Sequence, residues 1–190
     1  MIFAQWRARR ANRILIDQLH GKIVAAARRP ALYADLGVPD TYEGRFEMVT
    51  LHAGLVMRRL TKLSGIGPEL AQELADSVFR HFDVALREIG VSDVGVPKRI
   101  KRMAEAFYGR NKAYGEGLDE PYSDRLAGAL ARNVYCVEHL ALAPMARNLE
   151  RFVHAAAGAL DQIPLETFAR GEVEFPEPKR ALAKTEVEHG

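Results

Sequence analysis

The sequence has a single cysteine, no long hydrophobic run and little net charge. The lone Cys136 excludes an intramolecular disulfide framework and is typical of a reducing compartment. No segment approaches the roughly 20 apolar residues that a membrane-spanning helix needs, and the apolar run at residues 14–16 is too short for a secretory signal. The formal net charge of +2 is too small to indicate bulk binding of nucleic acid, and we expect no DNA partner.

The motifs of the common catalytic chemistries are missing too. No two of the six histidines are three or four residues apart on a predicted helix, so the sequence indicates no helical metal site. A lone histidine on an apolar helix, such as His52 or His154, is more often packed or solvated than a haem ligand. Residues 65–68 lack the preceding strand and the Lys-Ser/Thr ending of a phosphate-binding loop. We therefore expect no enzyme, cofactor or metal, with a site assembled from distant residues as an alternative.

The dominant pattern along the chain is helical. Apolar residues recur at intervals of three and four, and strand signals are scarce. The pattern predicts helices over residues 30–36, 40–63, 68–89 and 97–114, and further helices that begin near residues 123 and 144. About six helices of this kind pack as an all-α fold, a single compact multi-helix domain.

Local signals place the helix ends. Asp40, with Glu43 three residues later, has the spacing of a capping box at the start of the second predicted helix. Gly115 and Gly117 predict a break after the helix that opens near residue 97, and Ser123 is a candidate cap for the next one.

Composition divides the chain into three parts. Residues 1–30 form a basic N-terminal amphipathic helix or arm, and residues 31–170 form the helical domain. Residues 171–190 carry prolines and mixed charge without an apolar face, which predicts a flexible tail.

The N-terminal part has one acidic residue, Asp17, against seven basic ones. One interpretation is a terminal helix packed on the domain. Another is a helix lying on an anionic lipid surface, with apolar residues inward and arginines toward water. Its candidate membrane-surface residues are Trp6, Arg7, Arg9, Arg10 and Arg13. An Arg-rich, acid-poor start also resembles a mitochondrial transit segment, although it contains no serine.

Residues 90–118 combine flexible glycines, a basic cluster and aromatic residues. On a helix, Phe107 falls on an apolar face that predicts burial, while Lys98 and Lys101 fall on a charged face. A solvated face is the plain interpretation of those charges, and a partner-binding face is the functional one. The candidate partner-binding residues are Lys98, Arg99, Lys101, Arg102, Tyr108, Arg110 and Lys112.

Two sequence blocks resemble the ubiquinol-cytochrome c chaperone family. The first is residues 33–60, YADLGVPDTYEGRFEMVTLHAGLVMRRL, and the second is residues 86–114, LREIGVSDVGVPKRIKRMAEAFYGRNKAY. Both occur in the order expected of the family, and the resemblance covers roughly residues 32–149. The compact chain, without an evident long targeting extension, is similar to a bacterial member.

The resemblance implies a non-catalytic chaperone that assists assembly of respiratory complex III by binding newly made cytochrome b. It implies a position at the inner face of the cytoplasmic membrane, with the mitochondrial matrix as the alternative. Mitochondrial relatives imply two further partners, the ribosome and a small partner protein. A different class, a general RNA- or ribosome-binding helical module, stays open because the basic residues alone suit it.

Overall fold

Helices make up the regular structure of the chain. The computed structural model describes residues 2–121 and 123–178, and for residues 2–11 and Leu142 it describes the backbone alone. The helices in these ranges are α1 (Ile2–Ala27), α2 (Pro30–Ala34), α3 (Tyr42–Lys62), α4 (Gly67–Glu88), α5 (Gly95–Asp119), α6 (Arg125–Val134), α7 (Pro144–Asp161) and α8 (Leu165–Phe168), with a 3-10 turn at Leu140–Leu142. No strand occurs in the described ranges. The all-α prediction is confirmed, and six of these helices have ten residues or more.

Helix α3 is the centre of the bundle, because it contacts α1, α4, α5, α6 and α7. Its start differs from the predicted capping box. Thr41 is the N-cap, and its Oγ1 accepts a hydrogen bond from the backbone N–H of Gly44 at 3.1 Å. Asp40 lies outside the helix, where its carboxylate accepts from Arg45 at 2.7 Å. The cap is therefore one residue later than the sequence indicates.

Helix α5 continues through both glycines that predicted a break. A Cβ atom on Gly117 would lie 2.7 Å from the backbone nitrogen of Leu126, so the glycine is where α6 approaches α5 most closely. At Gly115 a Cβ would meet nothing within 4 Å. The predicted break is wrong because a glycine within a helix can serve the contact with a neighbouring helix.

The two ends of the chain pack on this bundle. In α1, Ile16, Leu19 and Ile23 are buried, and the helix contacts α3 and α4, as the packed-helix interpretation of the N-terminus expects. At the other end, Val173 and Phe175 are buried. Packing on the bundle thus continues past residue 171, where the predicted tail begins, and residues 179–190 lie outside the described residues.

Arg29 fastens this last described segment to the end of α1. Its Nη1 donates to the carbonyl oxygens of Phe175 at 2.9 Å and Pro176 at 2.7 Å, and lies 3.5 Å from the carboxylate of Glu177. The Phe175 ring packs edge-on against the buried imidazole of His52, with centroids 4.9 Å apart. Val173 and Phe175 are therefore part of the core.

Candidate partner-binding surface

The first half of α5 presents four exposed cations, Lys98, Arg99, Lys101 and Arg102, here called the basic face. None of the four forms an ion pair or a hydrogen bond with another side chain in the described ranges. Residues 94–104 contain no acidic residue. The positive charge of the basic face is consequently available to an external partner.

The turn before α5 is a well-formed helix end. Gly90 has φ +84°, its N–H donates to Arg87, and the N–H of Val91 reaches back to Leu86, both at 3.0 Å. This is the hydrogen-bond pattern of a Schellman motif, which glycine permits because the conformation is left-handed. The sequence predicted flexibility here, and the glycine instead fixes how α4 passes into α5.

Two aliphatic side chains are exposed at this turn. Ile89, the C-cap of α4, is 59% exposed, and Val94, the N-cap of α5, is 90% exposed. Arg87 links the turn to α4, because its guanidinium pairs with Asp83 on α4 at 2.7 Å and with Asp93 in the turn itself. We call residues 89–94 the α4–α5 corner. It places exposed aliphatic surface next to the basic face.

The aromatic residues of α5 divide between core and surface. Phe107 is fully buried, as the sequence predicts, and its ring lies 5.2 Å from that of Phe79 on α4. Tyr108 is 48% exposed, with its ring 5.9 Å from Phe79. Tyr108 thus has a packed edge and a free one, which suits a surface contact.

Two of the predicted partner-binding residues have partners inside the fold. Arg110 Nε lies 2.6 Å from a carboxylate oxygen of Glu47, whose side chain is only 4% exposed. The Arg110 guanidinium also lies over the Phe46 ring, 5.7 Å from its centroid. Lys112 is exposed and lies 3.9 Å from Glu116 on the same helix. Arg110 is therefore a structural residue here, whereas Lys112 forms a weak surface pair.

Burial and charge act in opposite directions on Glu47. Burial raises the pKa of its carboxyl, and the hydrogen bond and charge of Arg110 lower it, with a net shift upward from the usual value. Arg110 is the cation that this buried carboxylate requires.

A groove between α1, α3 and α4 opens beside the basic face. Its volume is about 380 Å³. Its rim includes Tyr42, which is 43% exposed and close enough to Arg99 for the cation to influence the hydroxyl. The lining is mainly apolar and includes Val24, Phe46, Val49, Phe82 and Val84.

Two histidines that line this groove stack on each other, His20, which is buried, and His81, which is exposed. The rings of His20 and His81 are 3.7 Å apart and inclined by 17°. The Nδ1–H of His81 donates to the carbonyl of Ser77, and His20 Nδ1 has no hydrogen-bond partner in the described part of the chain. Burial, followed by the nearby His81, lowers the pKa of His20 to about 4. A neutral His20 is thus built into the α1–α4 contact.

Four of the five predicted membrane-surface residues have side chains outside the described residues, namely Trp6, Arg7, Arg9 and Arg10. Arg13 is exposed on α1. Their role stays a prediction.

The described residues contain no cluster of three ligating side chains able to hold a metal ion. Among them, too, no helix combines the length and hydropathy needed to cross a membrane. A helical bundle with an unpaired basic face beside exposed aliphatic residues is typical of a protein that works by binding.

The comparisons with known proteins agree with this class. The family model described as ubiquinol-cytochrome C chaperone matches residues 34–175, and the chain belongs to this family. The fold also matches the crystal structure of the Cbp3 homolog from Brucella abortus, with a TM-score of 0.82 and 38% sequence identity, over 95% of this chain and 99% of that one. A comparison with curated proteins found no match. The sequence resemblance to the family is confirmed.

Sequence reasoning missed the groove and the exposed apolar corner. The groove is built from helices that are distant in sequence, and the histidines that meet in it are 61 positions apart. The corner left a weak signal, because Val94 lies four residues before Lys98 and hence on its helix face. An aliphatic residue in line with cations is the pattern that indicates it.

Proposed function

We propose that this protein is a non-catalytic assembly chaperone for ubiquinol-cytochrome c reductase, respiratory complex III, and that it binds unassembled cytochrome b. The observation that carries the proposal is the family match over residues 34–175, which contains helices α3 to α8. The similarity to the Cbp3 homolog over nearly all of both chains supports the same class. The absence of a catalytic motif from the sequence agrees with a binding role.

The basic face is the proposed contact with the client, together with Tyr108 and Lys112. Its four cations lack internal partners, so contact with an acidic segment does not require an existing ion pair to break. Arg110 is left out of the proposed contact because it pairs with Glu47 inside the fold. The proposed location is the inner face of the cytoplasmic membrane, where a newly made membrane protein is inserted.

The test of this contact is co-purification of cytochrome b with the tagged protein from its host's membranes. Reversing Lys98, Lys101 and Arg102 to Glu is expected to leave the protein folded and to reduce recovered cytochrome b at least about tenfold, since each close charge pair contributes 1 kcal/mol or more. The matched control reverses Lys22, Lys62 and Arg132, three cations without ion pairs elsewhere on the described surface. Equal recovery with both variants would remove the basic face from the proposal.

A second candidate is binding of the ribosome or RNA, favoured by the same unpaired cations and the half-exposed ring of Tyr108. In that case association weakens steeply with salt and persists in cells that lack cytochrome b. A ribosome and a small partner protein are compatible with a chaperone that meets its client during synthesis. Only binding that needs no cytochrome b favours the second candidate over the first.

A further inference from the structure

The α4–α5 corner and the basic face share one side of the molecule. Lys98 follows Val94 at a spacing of four and Lys101 follows Lys98 at a spacing of three, so the three residues lie along one stripe of the helix. The 90% exposure of Val94 is the highest among the large hydrophobic residues of the described chain, and Ile89 is also exposed beside it. Aliphatic tips flanked by cations thus form a continuous patch at this end of the bundle.

We propose that the α4–α5 corner docks on an anionic lipid surface, with Val94 and Ile89 entering the headgroup region and the basic face meeting lipid phosphates. This inference takes from the proposed function only that the protein works beside a membrane. The client and the lipid then use the basic face in common, whereas the exposed aliphatic residues of the corner belong to the lipid contact alone, and vesicles without protein test that contact separately.

The charges of the corner fit this partner. The four cations between residues 98 and 102 form no ion pair in the described chain, and Asp93, the acidic residue in the turn, pairs with Arg87, which also pairs with Asp83. Glu88 and Glu105 lie at the edge of the patch and reduce its charge without reversing it. A basic cluster of this size is attracted by an anionic leaflet, and each cation near the surface adds about fivefold to binding.

The exposed aliphatic residues favour an anionic lipid surface over RNA as the partner of this patch. An RNA site pairs cations with exposed aromatic rings on which bases stack. At the corner itself the exposed side chains are Ile89 and Val94, while the exposed rings of Tyr42 and Tyr108 lie outside it, on α3 and in the second half of α5. Aliphatic side chains gain free energy by leaving water for the acyl boundary of a bilayer.

The architecture presents these residues firmly. The Schellman hydrogen bonds at Gly90 and Val91 end α4, and the backbone N–H groups of Gly95 and Val96 donate to Ser92 at 2.8 and 3.1 Å. Arg87 adds its bonds to Asp83 and Asp93 beneath the turn. A turn fixed in this way exposes its aliphatic side chains without the ordering cost that a flexible loop has on binding.

The test is flotation of the full chain with vesicles of pure phosphatidylcholine and with vesicles containing equal phosphatidylcholine and phosphatidylglycerol. The wild-type protein is expected to bind the anionic vesicles and to bind neutral ones far less. Changing Lys98, Lys101 and Arg102 to Gln lowers the partition coefficient about 100-fold. Val94→Ser lowers it about tenfold, while Ile66→Ser, which changes an exposed aliphatic residue at the opposite end of α4, leaves it unchanged.

Several results would overturn the inference. The first is that the protein does not bind vesicles, and the second is that the Val94→Ser and Ile89→Ser variants bind as well as the wild-type protein. The third is that the Gln variant binds fully, which would move the contact to another surface such as the N-terminus. Stronger binding to single-stranded RNA than to anionic vesicles at the same salt would assign the patch to RNA. Because the vesicles contain no protein, a negative result leaves the cytochrome b proposal intact, and loss of cytochrome b recovery alone leaves this one intact.

Discussion

The free energy of unfolding is expected to fall by about 4 kcal/mol between pH 7 and pH 5, mainly because of two buried histidines. Burial lowers the pKa of both His20 and His52 to about 4, from an ordinary value of 6.5. Between these values the unfolded chain binds protons that the folded chain does not. Stability is therefore complete above pH 6.5 and is lost progressively as the pH falls toward 4.

The surroundings of each histidine explain the shift. His20 faces His81 and Arg80 on α4, whose charges oppose its protonation, and only Asp17 on its own helix favours it. His52 is fully buried, donates Nδ1–H to the carbonyl of Met48 at 2.7 Å, and has no partner for Nε2 in the described chain. Each contributes roughly 2 kcal/mol at pH 5. Glu47 acts in the opposite direction, because its raised pKa favours proton uptake by the folded state.

Urea denaturation at a series of pH values measures the loss of stability, and NMR titration assigns it. The His20 and His52 resonances should titrate below pH 5 in the folded protein. The reference is the ordinary histidine pKa of about 6.5, at which an unburied imidazole loses its proton. Titration of His20 and His52 near pH 6.5 in the folded protein would contradict the proposed burial effect.

Removal of the Arg110 side chain is expected to destabilise the protein by about 3 kcal/mol at pH 7, because Arg110→Met leaves Glu47 buried without a cation. The loss should shrink at lower pH, since Glu47 can then take up a proton and become neutral. The matched control is Lys112→Met two positions away, where the exposed pair with Glu116 predicts a change below about 0.5 kcal/mol.

Urea denaturation of both variants at pH 7 and pH 5 checks this expectation. Combining Arg110→Met with Glu47→Gln should recover part of the loss, because no buried charge then remains. If Arg110→Met costs no more than Lys112→Met, Arg110 is not structural and returns to the partner-binding surface. The comparison thus decides which of the predicted binding residues are free.

The sequence predicts the helices well because the spacing of apolar residues reports burial directly. Phe107 is placed inward and Lys101 outward by periodicity alone, and the structure agrees. The prediction of a helix that begins near residue 97 is confirmed, but its predicted end is wrong because the helix continues to Asp119. Gly117 suggested a break because its contact, Leu126, lies in the following helix and leaves no local signal.

Long-range pairs explain the other differences. Arg110 resembled the neighbouring surface cations until the fold brought it to Glu47, 63 positions away. Val173 and Phe175 stand among prolines and charges, where an alternation of only two apolar residues does not predict burial. Such contacts depend on which elements meet in space, and that follows from packing rather than from local pattern.

The proposed function makes its most direct prediction about the amount of assembled complex III in the cell. The measurement that tests it is the amount of assembled complex III and of cytochrome b in a deletion strain of the host, compared with the other respiratory complexes. We expect complex III and cytochrome b to fall while the other complexes stay unchanged, and the wild-type gene to restore both. Normal complex III in the deletion strain would contradict the account.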